Sequence, residues 1–318
     1  MQKWKIKQKT GVLAQNKGKT GSAFEGMGAL LEDAMMEKAK IPALAGKSIA
    51  VLGGTGNLGS LLAKKLAQAQ VARVVATGRD AQKLQALEMD GVQASMGNAQ
   101  AVREADIVLL CVKPQQMKDV VREIMGFAAG KLFVSVAAGV PLSYLERELA
   151  GASVVRCMPN LCAKIGMSQT AVATNSKNGE GKIVREMLAL LGETYEVQER
   201  QFAVWTAVSG SGPAFLVKAA QACMEDAQML SCMRAALCRE GFGEGEAAQI
   251  GAQVLAATKE LMQKSNESGE EFIARVCSKK GTTEAGLQAG GNMETEVELS
   301  AAFEAAKMRA MEIEAEFG

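Results

Sequence analysis

Ser48-Ile49-Ala50-Val51-Leu52-Gly53-Gly54-Thr55-Gly56-Asn57-Leu58-Gly59-Ser60 is the stretch that decides the fold of this chain. A short apolar run leads into glycines, and the glycines lead into Leu61–Ala67, where apolar residues recur with a helical period. Strand, tight turn and helix is the setting in which the pattern G-x-G-x-x-G binds a dinucleotide. Gly54, Gly56 and Gly59 fit that pattern; we assign to them, in that order, the tight turn, the close approach to a pyrophosphate and the packing of helix on strand. The start of the helix would offer N–H groups to the phosphates, so the stretch predicts a dinucleotide site.

Downstream of this turn, strand-like runs alternate with helical segments to about residue 175. The runs are Arg73–Thr77, Ile107–Val112, Leu132–Val136, Ser153–Cys157 and Thr170–Thr174. Between them lie helical patterns such as Met117–Met125 and Ser143–Leu149. This alternation predicts an α/β domain with a parallel, doubly wound sheet of the Rossmann type, which we place at residues 47–203.

The strand-like runs stop after about residue 180, and helical patterns follow. They cover Gly181–Leu191, Pro213–Met233, Glu244–Gln263, Glu270–Val276 and Glu298–Glu314. Their apolar residues recur on more than one face, which indicates wide burial. We expect residues 204–318 to form an all-helical dimerisation domain, so a homodimer or a higher homo-oligomer is predicted.

Residues 1–46 precede the first strand as an N-terminal extension. Its first acidic residue is Glu25, and Ala29–Lys40 has a helical pattern. Two interpretations stay open. In the first, the extension is solvated and packs on its own subunit or on a neighbouring one. In the second, it docks on the acidic surface of a partner.

Composition excludes several classes of site. The formal charge of +1 gives no indication of nucleic-acid binding, and no apolar run reaches the roughly 18 residues of a membrane helix. The seven cysteines are scattered without a C-x-x-C pair, which excludes zinc ribbons and is typical of a reducing cytoplasm. The chain has no histidine, so histidine bases and histidine metal ligands are excluded. We expect a cytoplasmic protein without a membrane or nucleic-acid partner and without a metal, whose chemistry comes from a cofactor, hydroxyls, backbone dipoles, carboxylates or lysines.

The end of the second strand, Thr77-Gly78-Arg79, bears on the choice of cofactor. An acidic side chain there would bind the adenosine ribose of NAD, whereas a hydroxyl and a guanidinium suit the 2′-phosphate of NADP. Asp80 follows directly and favours NAD, unless it caps the next helix. We favour NADPH over NADH, with Arg79 on the phosphate.

Two further loops follow buried strands, at carboxyl ends, where open α/β sheets bind ligands. In Cys111-Val112-Lys113-Pro114, Lys113 either caps a surface turn or lies near the nicotinamide ribose or the cofactor phosphates. In Ala137-Ala138-Gly139, the small side chains would let a nicotinamide ring lie close to the backbone.

Two segments of the helical half carry more than packing requires. Val208-Ser209-Gly210-Ser211-Gly212-Pro213-Ala214 predicts a rigid entry turn to a helix, and without an adjacent base its serines are expected to shape the loop. In Val276-Cys277-Ser278-Lys279-Lys280-Gly281-Thr282-Thr283-Glu284-Ala285-Gly286-Leu287, one helix ends and the next begins at Thr282 or Thr283. The first N–H groups of that helix would grip an anion such as a substrate carboxylate, or the threonine is an ordinary N-cap.

These motifs, in this order and spacing, resemble the pyrroline-5-carboxylate reductase family over roughly residues 48–315. The matching segments are Gly54–Gly59, Val112–Pro114, Ser135–Val140, Arg156–Asn160, Thr206–Phe215 and Ser278–Leu287. The resemblance implies reduction of the cyclic imine 1-pyrroline-5-carboxylate to L-proline with NADPH or NADH, in proline biosynthesis. It also implies that two chains pair through the helical domain.

The resemblance, taken with the loops above, gives a set of candidate site residues. For the cofactor they are Gly54, Thr55, Gly56, Asn57, Leu58, Gly59, Arg79, Asn98, Val112, Lys113, Pro114, Ala137, Ala138 and Gly139. For the substrate they are Gly281, Thr282, Thr283 and Glu199. The resemblance implies that the Thr283 hydroxyl bonds the ring nitrogen as the catalytic group.

A departure from the family and a second likeness leave alternatives open. The family usually has Ser-Pro-Gly-Gly-Thr-Thr where this chain has Ser278-Lys279-Lys280-Gly281-Thr282-Thr283. If the replaced glycine had positive φ, Lys280 must change the loop or carry strain. Gly53–Gly59 also resembles the fingerprint of deazaflavin:NADP oxidoreductases. The alternatives are a reductase of another cyclic imine, a deazaflavin:NADP oxidoreductase, and an NADP-binding homologue that has lost turnover.

Overall fold

The computed structural model describes residues 41–69 and 71–318. The predicted helix Ala29–Lys40 lies outside the described residues, and so does the extension before residue 41. A short 3-10 turn, Pro42–Leu44, leads into the first strand. The predicted domain boundaries at residues 46/47 and 203/204 stay predictions.

An eight-stranded sheet is the centre of the fold. Its strands are β1 Ser48–Leu52, β2 Arg73–Thr77, β3 Gln93–Ser95, β4 Ile107–Leu110, β5 Leu132–Ser135, β6 Ser153–Met158, β7 Ser168–Ala173 and β8 Gly192–Glu196. Their order is β3-β2-β1-β4-β5-β6-β7-β8. All neighbours are parallel except β6 and β7. The predicted parallel, doubly wound sheet is confirmed, with one antiparallel strand pair near its far edge.

Two strands were not predicted, and both lie at an edge of the sheet. The expectation that strands stop near residue 180 is wrong, because β8 pairs with β7. β8 has the sequence Gly-Glu-Thr-Tyr-Glu and is largely half-buried or exposed, and β3 likewise has no buried residue. An edge strand with little burial has a weak apolar pattern, so periodicity alone does not find it.

Thirteen α-helices are described in residues 41–69 and 71–318. They are α1 Asn57–Gln68, α2 Ala81–Glu88, α3 Asn98–Arg103, α4 Pro114–Ile124, α5 Leu142–Glu148, α6 Glu180–Leu188, α7 Phe202–Trp205, α8 Gly212–Gln221, α9 Asp226–Arg239, α10 Glu244–Ser265, α11 Gly269–Val276, α12 Thr282–Ala289 and α13 Glu296–Ala315. None of these helices has the length and apolar character needed to cross a membrane.

The two faces of the sheet belong to two different cores. Ile49 and Val51 point to the face covered by α1, α2 and α6. Ala50 and Leu52 point to the other face, whose core continues without a break into the helical half. Successive strand residues alternate between faces, so one apolar strand serves both cores. The helical half therefore packs directly on the sheet.

The helical half departs from prediction at two places. The helix predicted over Pro213–Met233 ends at Gln221, because Cys223 adopts φ +66° and Glu225 then caps α9 with a capping box. The turn predicted before Pro213 is wrong. Phe202–Gln221 is one continuous helical run whose middle, Thr206–Ser211, is a π-helical turn.

Candidate active site

The glycine turn lies between β1 and α1, at the point where the strand order reverses. α1 begins at Asn57 with Gly56 as its N-cap, and no side chain caps it. The first N–H groups of a helix have no partner within the helix, so this end is open to an anion. β1 lies between β2 and β4, and the chain after β1 goes to β2 on one side before it crosses to β4 on the other. A turn at such a reversal of strand order faces the crevice where α/β sheets bind ligands.

The packing of the turn shows why its glycines are needed. Gly53 adopts positive φ (+82°), and its carbonyl accepts from the Gly56 N–H at 3.0 Å. Gly54 is a central residue of this tight turn, where the sequence placed it. A Cβ on Gly54 would lie 2.6 Å from the Cβ of Ala76 on β2. A Cβ on Gly59 would overlap the carbonyl oxygen of Gly53, so the glycine lets the first turn of α1 lie directly against the glycine turn, and its predicted role in packing helix on strand stays a prediction. The close backbone cradle fits a dinucleotide pyrophosphate.

The end of β2 gives a structural reason for Asp80. Its carboxylate accepts from the N–H of Lys83 at 3.1 Å, so it is the N-cap of α2. Arg79 beside it is exposed and makes no ion pair with any residue of the described chain. A guanidinium at the carboxyl end of β2 fits a phosphate, and the capping bond gives Asp80 a role in the fold that needs no ribose.

Asn98 is the first residue of α3 and is half-buried. Its Oδ1 accepts from the buried Thr77 hydroxyl at 2.6 Å, and its Nδ2 donates to Glu123 at 2.8 Å. These bonds fix the orientation of the amide next to the end of β2. The predicted cofactor contact of Asn98 stays a prediction.

The loop after β4 touches the glycine turn. A Cβ on Gly53 would lie 2.8 Å from the carbonyl carbon of Cys111 and 2.9 Å from the nitrogen of Val112. Lys113 is exposed and is the N-cap residue of α4, whose first residue is Pro114. Burial raises the pKa of the Cys111 thiol to about 12. The thiol stays protonated at neutral pH and supplies no base to the site.

The loop after β5 is covered by the C-terminal helix. Ala137 is buried and Ala138 is half-buried, while Gly139 adopts φ +71°. A Cβ on Gly139 would lie 2.9 Å from the Cβ of Ile313, on α13. The loop predicted to border the nicotinamide is therefore in direct contact with the helical half.

The bend Ser278–Gly281 connects α11 to α12. Lys280 adopts φ +58°, so the lysine keeps a left-handed conformation and carries its strain. Two bonds hold it: its N–H donates to Glu284 at 2.7 Å, and its carbonyl accepts from the Arg309 Nε at 3.0 Å. The helix begins at Thr282 as predicted, and neither threonine caps it with its side chain.

The hydroxyls of the bend meet Ser211 of the π-helical turn. Thr283 is buried, and its Oγ1 donates to the Ser211 Oγ at 2.9 Å. The Thr282 Oγ1 lies 2.9 Å from the same Ser211 oxygen. The structure therefore brings Thr282 and Thr283 together on a third hydroxyl that the sequence had suggested only as a loop residue.

Glu199 lies where the helical half meets β6. Its Oε1 accepts from the Leu142 N–H at 2.6 Å and from Nη1 of the fully buried Arg156 at 3.0 Å. Arg156 also pairs with Glu314 of α13 and stacks over the ring of Phe202 at 4.3 Å. The carboxylate is thus held in an ion-pair network, and the predicted proximity of Glu199 to substrate stays a prediction.

One helix touches both halves of the candidate site. On α13, Arg309 binds the carbonyl of Lys280, and Ile313 packs on Gly139. Four residues of helix span about 6 Å. The bend and the loop after β5 are therefore neighbours along α13, although no hydrogen bond joins 137–139 to 281–283 among the described residues.

Sequence reasoning missed Ser211, Arg309 and Ile313. The signal for Ser211 was present: apolar residues flank the Ser-Gly repeat on both sides, which is typical of a buried helix rather than a loop. Arg309 and Ile313 carry no signal of their own, because which bend and which strand end α13 contacts is decided by tertiary packing.

Two family models match the chain, one for each half of the site. The family described as NADP oxidoreductase coenzyme F420-dependent matches residues 48–139. The family described as pyrroline-5-carboxylate reductase dimerisation matches residues 199–313. The first covers the glycine turn and the strand ends, and the second covers Ser211, the bend and α13.

Similar proteins agree with this assignment. The chain is 35% identical to a pyrroline-5-carboxylate reductase of Methanosarcina acetivorans, over 72% of this chain and 81% of that protein. It is 31% identical to that of Corynebacterium melassecola, over 76% of this chain and 89% of that protein. A solved pyrroline-5-carboxylate reductase from Coxiella burnetii aligns with a TM-score of 0.56 at 25% identity, covering 84% of this chain and 98% of that one. The chain belongs to the pyrroline-5-carboxylate reductase family.

Proposed function

We propose that this protein reduces 1-pyrroline-5-carboxylate to L-proline with NADPH. The observation that carries the proposal is the buried Thr283 hydroxyl at the start of an uncapped helix, joined through α13 to the nicotinamide side of the sheet. This arrangement offers backbone N–H groups for a carboxylate and a hydroxyl for a ring nitrogen. The relatives' names agree with that chemistry.

The cofactor half is built for a dinucleotide phosphate. Gly54, Gly56 and Gly59 form the cradle, and Thr55, Asn57 and Leu58 line it at the start of α1. Arg79 takes the 2′-phosphate, with Asn98 beside it. Val112, Lys113 and Pro114 follow β4, and Ala137, Ala138 and Gly139 border the nicotinamide. NADPH supplies a hydride when it is bound.

The chain's own residues orient the substrate and its charges. The N–H groups of Gly281, Thr282 and Thr283 hold the carboxylate and so fix which ring carbon faces the hydride. The Thr283 hydroxyl bonds the ring nitrogen, which must carry a proton in the product. A side chain that positions and hydrogen-bonds is sufficient, so the lack of histidine in the sequence is no obstacle.

The assembly and location follow from the same family. The helical half matches a dimerisation family, which supports a homo-oligomer; we propose a homodimer or a higher assembly of dimers. We propose a cytoplasmic protein, in line with cysteines that are unpaired throughout the described chain. The substrate is a small cyclic imine carboxylate, and we propose no nucleic-acid partner.

A second candidate rests on a specific match. The nucleotide half matches an NADP oxidoreductase family described as coenzyme F420-dependent, which favours a deazaflavin as the electron partner. The match ends at residue 139, and the helical half matches the reductase dimerisation family instead. The imine is therefore the better-supported substrate.

One assay separates the candidates. NADPH oxidation is followed by its absorbance with purified protein and, in turn, 1-pyrroline-5-carboxylate, the six-membered ring homologue, a deazaflavin, and no acceptor. We expect rapid oxidation with the five-membered imine and formation of L-proline. Preference for the larger ring, turnover with deazaflavin alone, or no turnover with any acceptor would each replace the proposal.

A further inference from the structure

Three hydroxyls form a continuous chain in the wall of the candidate active site. The Thr283 Oγ1 lies 2.9 Å from the Ser211 Oγ, and the Ser211 Oγ lies 2.9 Å from the Thr282 Oγ1. Ser211 is 1% exposed and Thr283 is 4% exposed, whereas Thr282 is half-buried. The chain thus runs from the hydroxyl of a half-buried threonine through that of a fully buried serine to the predicted catalytic group.

The backbone that carries Ser211 is unusual. Ser211 is the last residue of the π-helical turn Thr206–Ser211, directly before α8. Single π-turns inside α-helices are rare and occur frequently at functional sites. The turn lies in the middle of a buried helix that packs on α12 and α13, so the Ser211 hydroxyl is held rigidly at the bend.

We propose that Ser211 is a positioning residue of the reductase reaction, which orients the Thr283 hydroxyl and connects it through Thr282 to water. This inference rests on the proposed function. A hydroxyl donates one hydrogen bond and accepts two, so the central Ser211 can serve both threonines at once. When the chain is polarised from Thr282 to Thr283, the Thr283 hydroxyl donates to the imine nitrogen. When it is polarised the other way, Thr283 accepts from a protonated ring nitrogen.

The proton balance of the reaction defines what the chain does. The C=N double bond of the ring becomes a single bond, one hydride adds to carbon as NADPH is oxidised to NADP⁺, and one proton from water ends on nitrogen. Thr283 gives its proton to the nitrogen and takes one from Ser211. Ser211 takes one from Thr282, and Thr282 takes one from a solvent water, which leaves as hydroxide and is neutralised by the buffer. Each hydroxyl ends the cycle as it began.

Ser209 is the matched control within the same repeat. It is 1% exposed like Ser211 and lies in the same π-helical turn. Its hydroxyl accepts from Asn160 at 3.0 Å and donates to the carbonyl of Gln169 at 3.1 Å, away from the bend. Both serines therefore lose a buried hydrogen-bonding hydroxyl on change to alanine, but only Ser211 serves the threonines.

The test compares Ser211→Ala with Ser209→Ala in the full-length enzyme, by steady-state kinetics and by calorimetric titration with L-proline. For Ser211→Ala we expect kcat to fall about 10- to 100-fold, which is less than the roughly 100- to 10,000-fold contributed by a general acid or base itself, because Thr283 is still present. We expect KM and the affinity for L-proline to stay within about threefold, because backbone N–H groups hold the carboxylate. For Ser209→Ala we expect kcat within about twofold of the wild-type value.

Several results would overturn the inference. One is equal kcat in the two variants, and another is a rise in KM with kcat unchanged, which indicates a structural role. If Ser211→Ala does not fold, Thr282→Val and Thr282→Ser decide, since they differ in the hydroxyl: equal kcat overturns the inference, and a loss in the valine variant alone supports it. Wild-type protein that does not oxidise NADPH with 1-pyrroline-5-carboxylate overturns the proposed function itself.

Discussion

Ile313 fills the space that a side chain on Gly139 would occupy. A Cβ built on Gly139 would lie 2.9 Å from the Cβ of Ile313, and closer still to its Cγ2. One turn earlier on the same helix, Arg309 binds the carbonyl of Lys280. The end of α13 is therefore the spacer that sets the bend Ser278–Gly281 against the loop after β5.

We expect Gly139→Ala to misplace this spacer. The new methyl group must push α13 outward, and near-attack geometry is sensitive to shifts of about 1 Å, so kcat should fall by about 100-fold. Gly130→Ala is the control, because Gly130 has a similar φ of +76° but no atom of the described residues within 4 Å of its missing Cβ. Kinetics of Gly139→Ala/Ile313→Ala complete the test. Partial recovery in the double variant is expected, and its absence would show that backbone strain, not the contact, is responsible.

Glu199→Gln separates a structural from a substrate role. Among the described residues, the change leaves the buried Arg156 with Glu314 as its one carboxylate partner, so we expect a loss of about 1–3 kcal/mol in the free energy of unfolding, measured in urea. Glu314→Gln removes the other partner and should cost a similar amount. We expect kcat/KM of the two variants to agree within about threefold. A tenfold greater loss of kcat/KM in Glu199→Gln would place its carboxylate at the substrate.

Arg79→Ala tests the choice of cofactor. A charge-assisted bond to the 2′-phosphate contributes about 1.5–3 kcal/mol, so the KM for NADPH should rise about 10- to 100-fold while that for NADH changes little. Asp80→Ala is the counterpart. It removes the N-cap of α2 and should lower stability by about 1 kcal/mol without changing the ratio of the two cofactors. A changed ratio in Asp80→Ala would show that this carboxylate binds a ribose.

The central strands of the sheet, and each loop of the candidate site by itself, could be predicted from the sequence. Buried strands such as Ile107–Leu110 are continuous apolar runs, which a sequence pattern identifies. The glycine turn is predictable as well, because the contacts that require its glycines come from the turn itself and from the neighbouring strand. Edge strands such as Gly192–Glu196 were not predicted, because a partly buried strand has no clear period of apolar residues. Contacts such as that of Arg309 with Lys280 could not be predicted for another reason: they join residues far apart in the chain, and no local sequence feature specifies the partner.

The Ser-Gly-Ser-Gly-Pro segment shows where local rules mislead. Gly and Pro favour a turn, yet the segment is a buried π-helical turn followed by α8. A Cβ on Gly210 would lie 2.9 Å from the Cε of Met158, so the close packing of this buried segment requires a residue without a side chain at that position. Tertiary packing overrides propensity here, at a position next to the candidate catalytic hydroxyl.

Lys280→Gly should make the protein more stable. In the folded state, a left-handed conformation destabilises a residue with a side chain by about 1–2 kcal/mol, and glycine removes this strain. Glycine also loses more conformational entropy on folding, which offsets about 0.5–1 kcal/mol of the gain. The net gain in unfolding free energy is then about 0.5–1 kcal/mol, measured by urea denaturation. Lys279→Gly removes the same charge at an ordinary φ and should lose stability. A gain in both variants would indicate charge repulsion in the bend rather than strain.

Thr283→Ala should reduce kcat/KM by about 10- to 1,000-fold, the cost of one preorganised hydrogen bond at the reacting atom. Thr283→Ser keeps the hydroxyl and should retain most of the activity. Thr258→Ala controls for the loss of a buried threonine, because its hydroxyl bonds the Val254 carbonyl of its own helix at 2.7 Å and the Cys162 thiol, and not the hydroxyls of the bend. Steady-state rates with 1-pyrroline-5-carboxylate and thermal unfolding of all three variants are the measurements. If Thr283→Ala turns over as fast as Thr258→Ala, the hydroxyl has no part in the reaction, and the bend holds the substrate through its backbone alone.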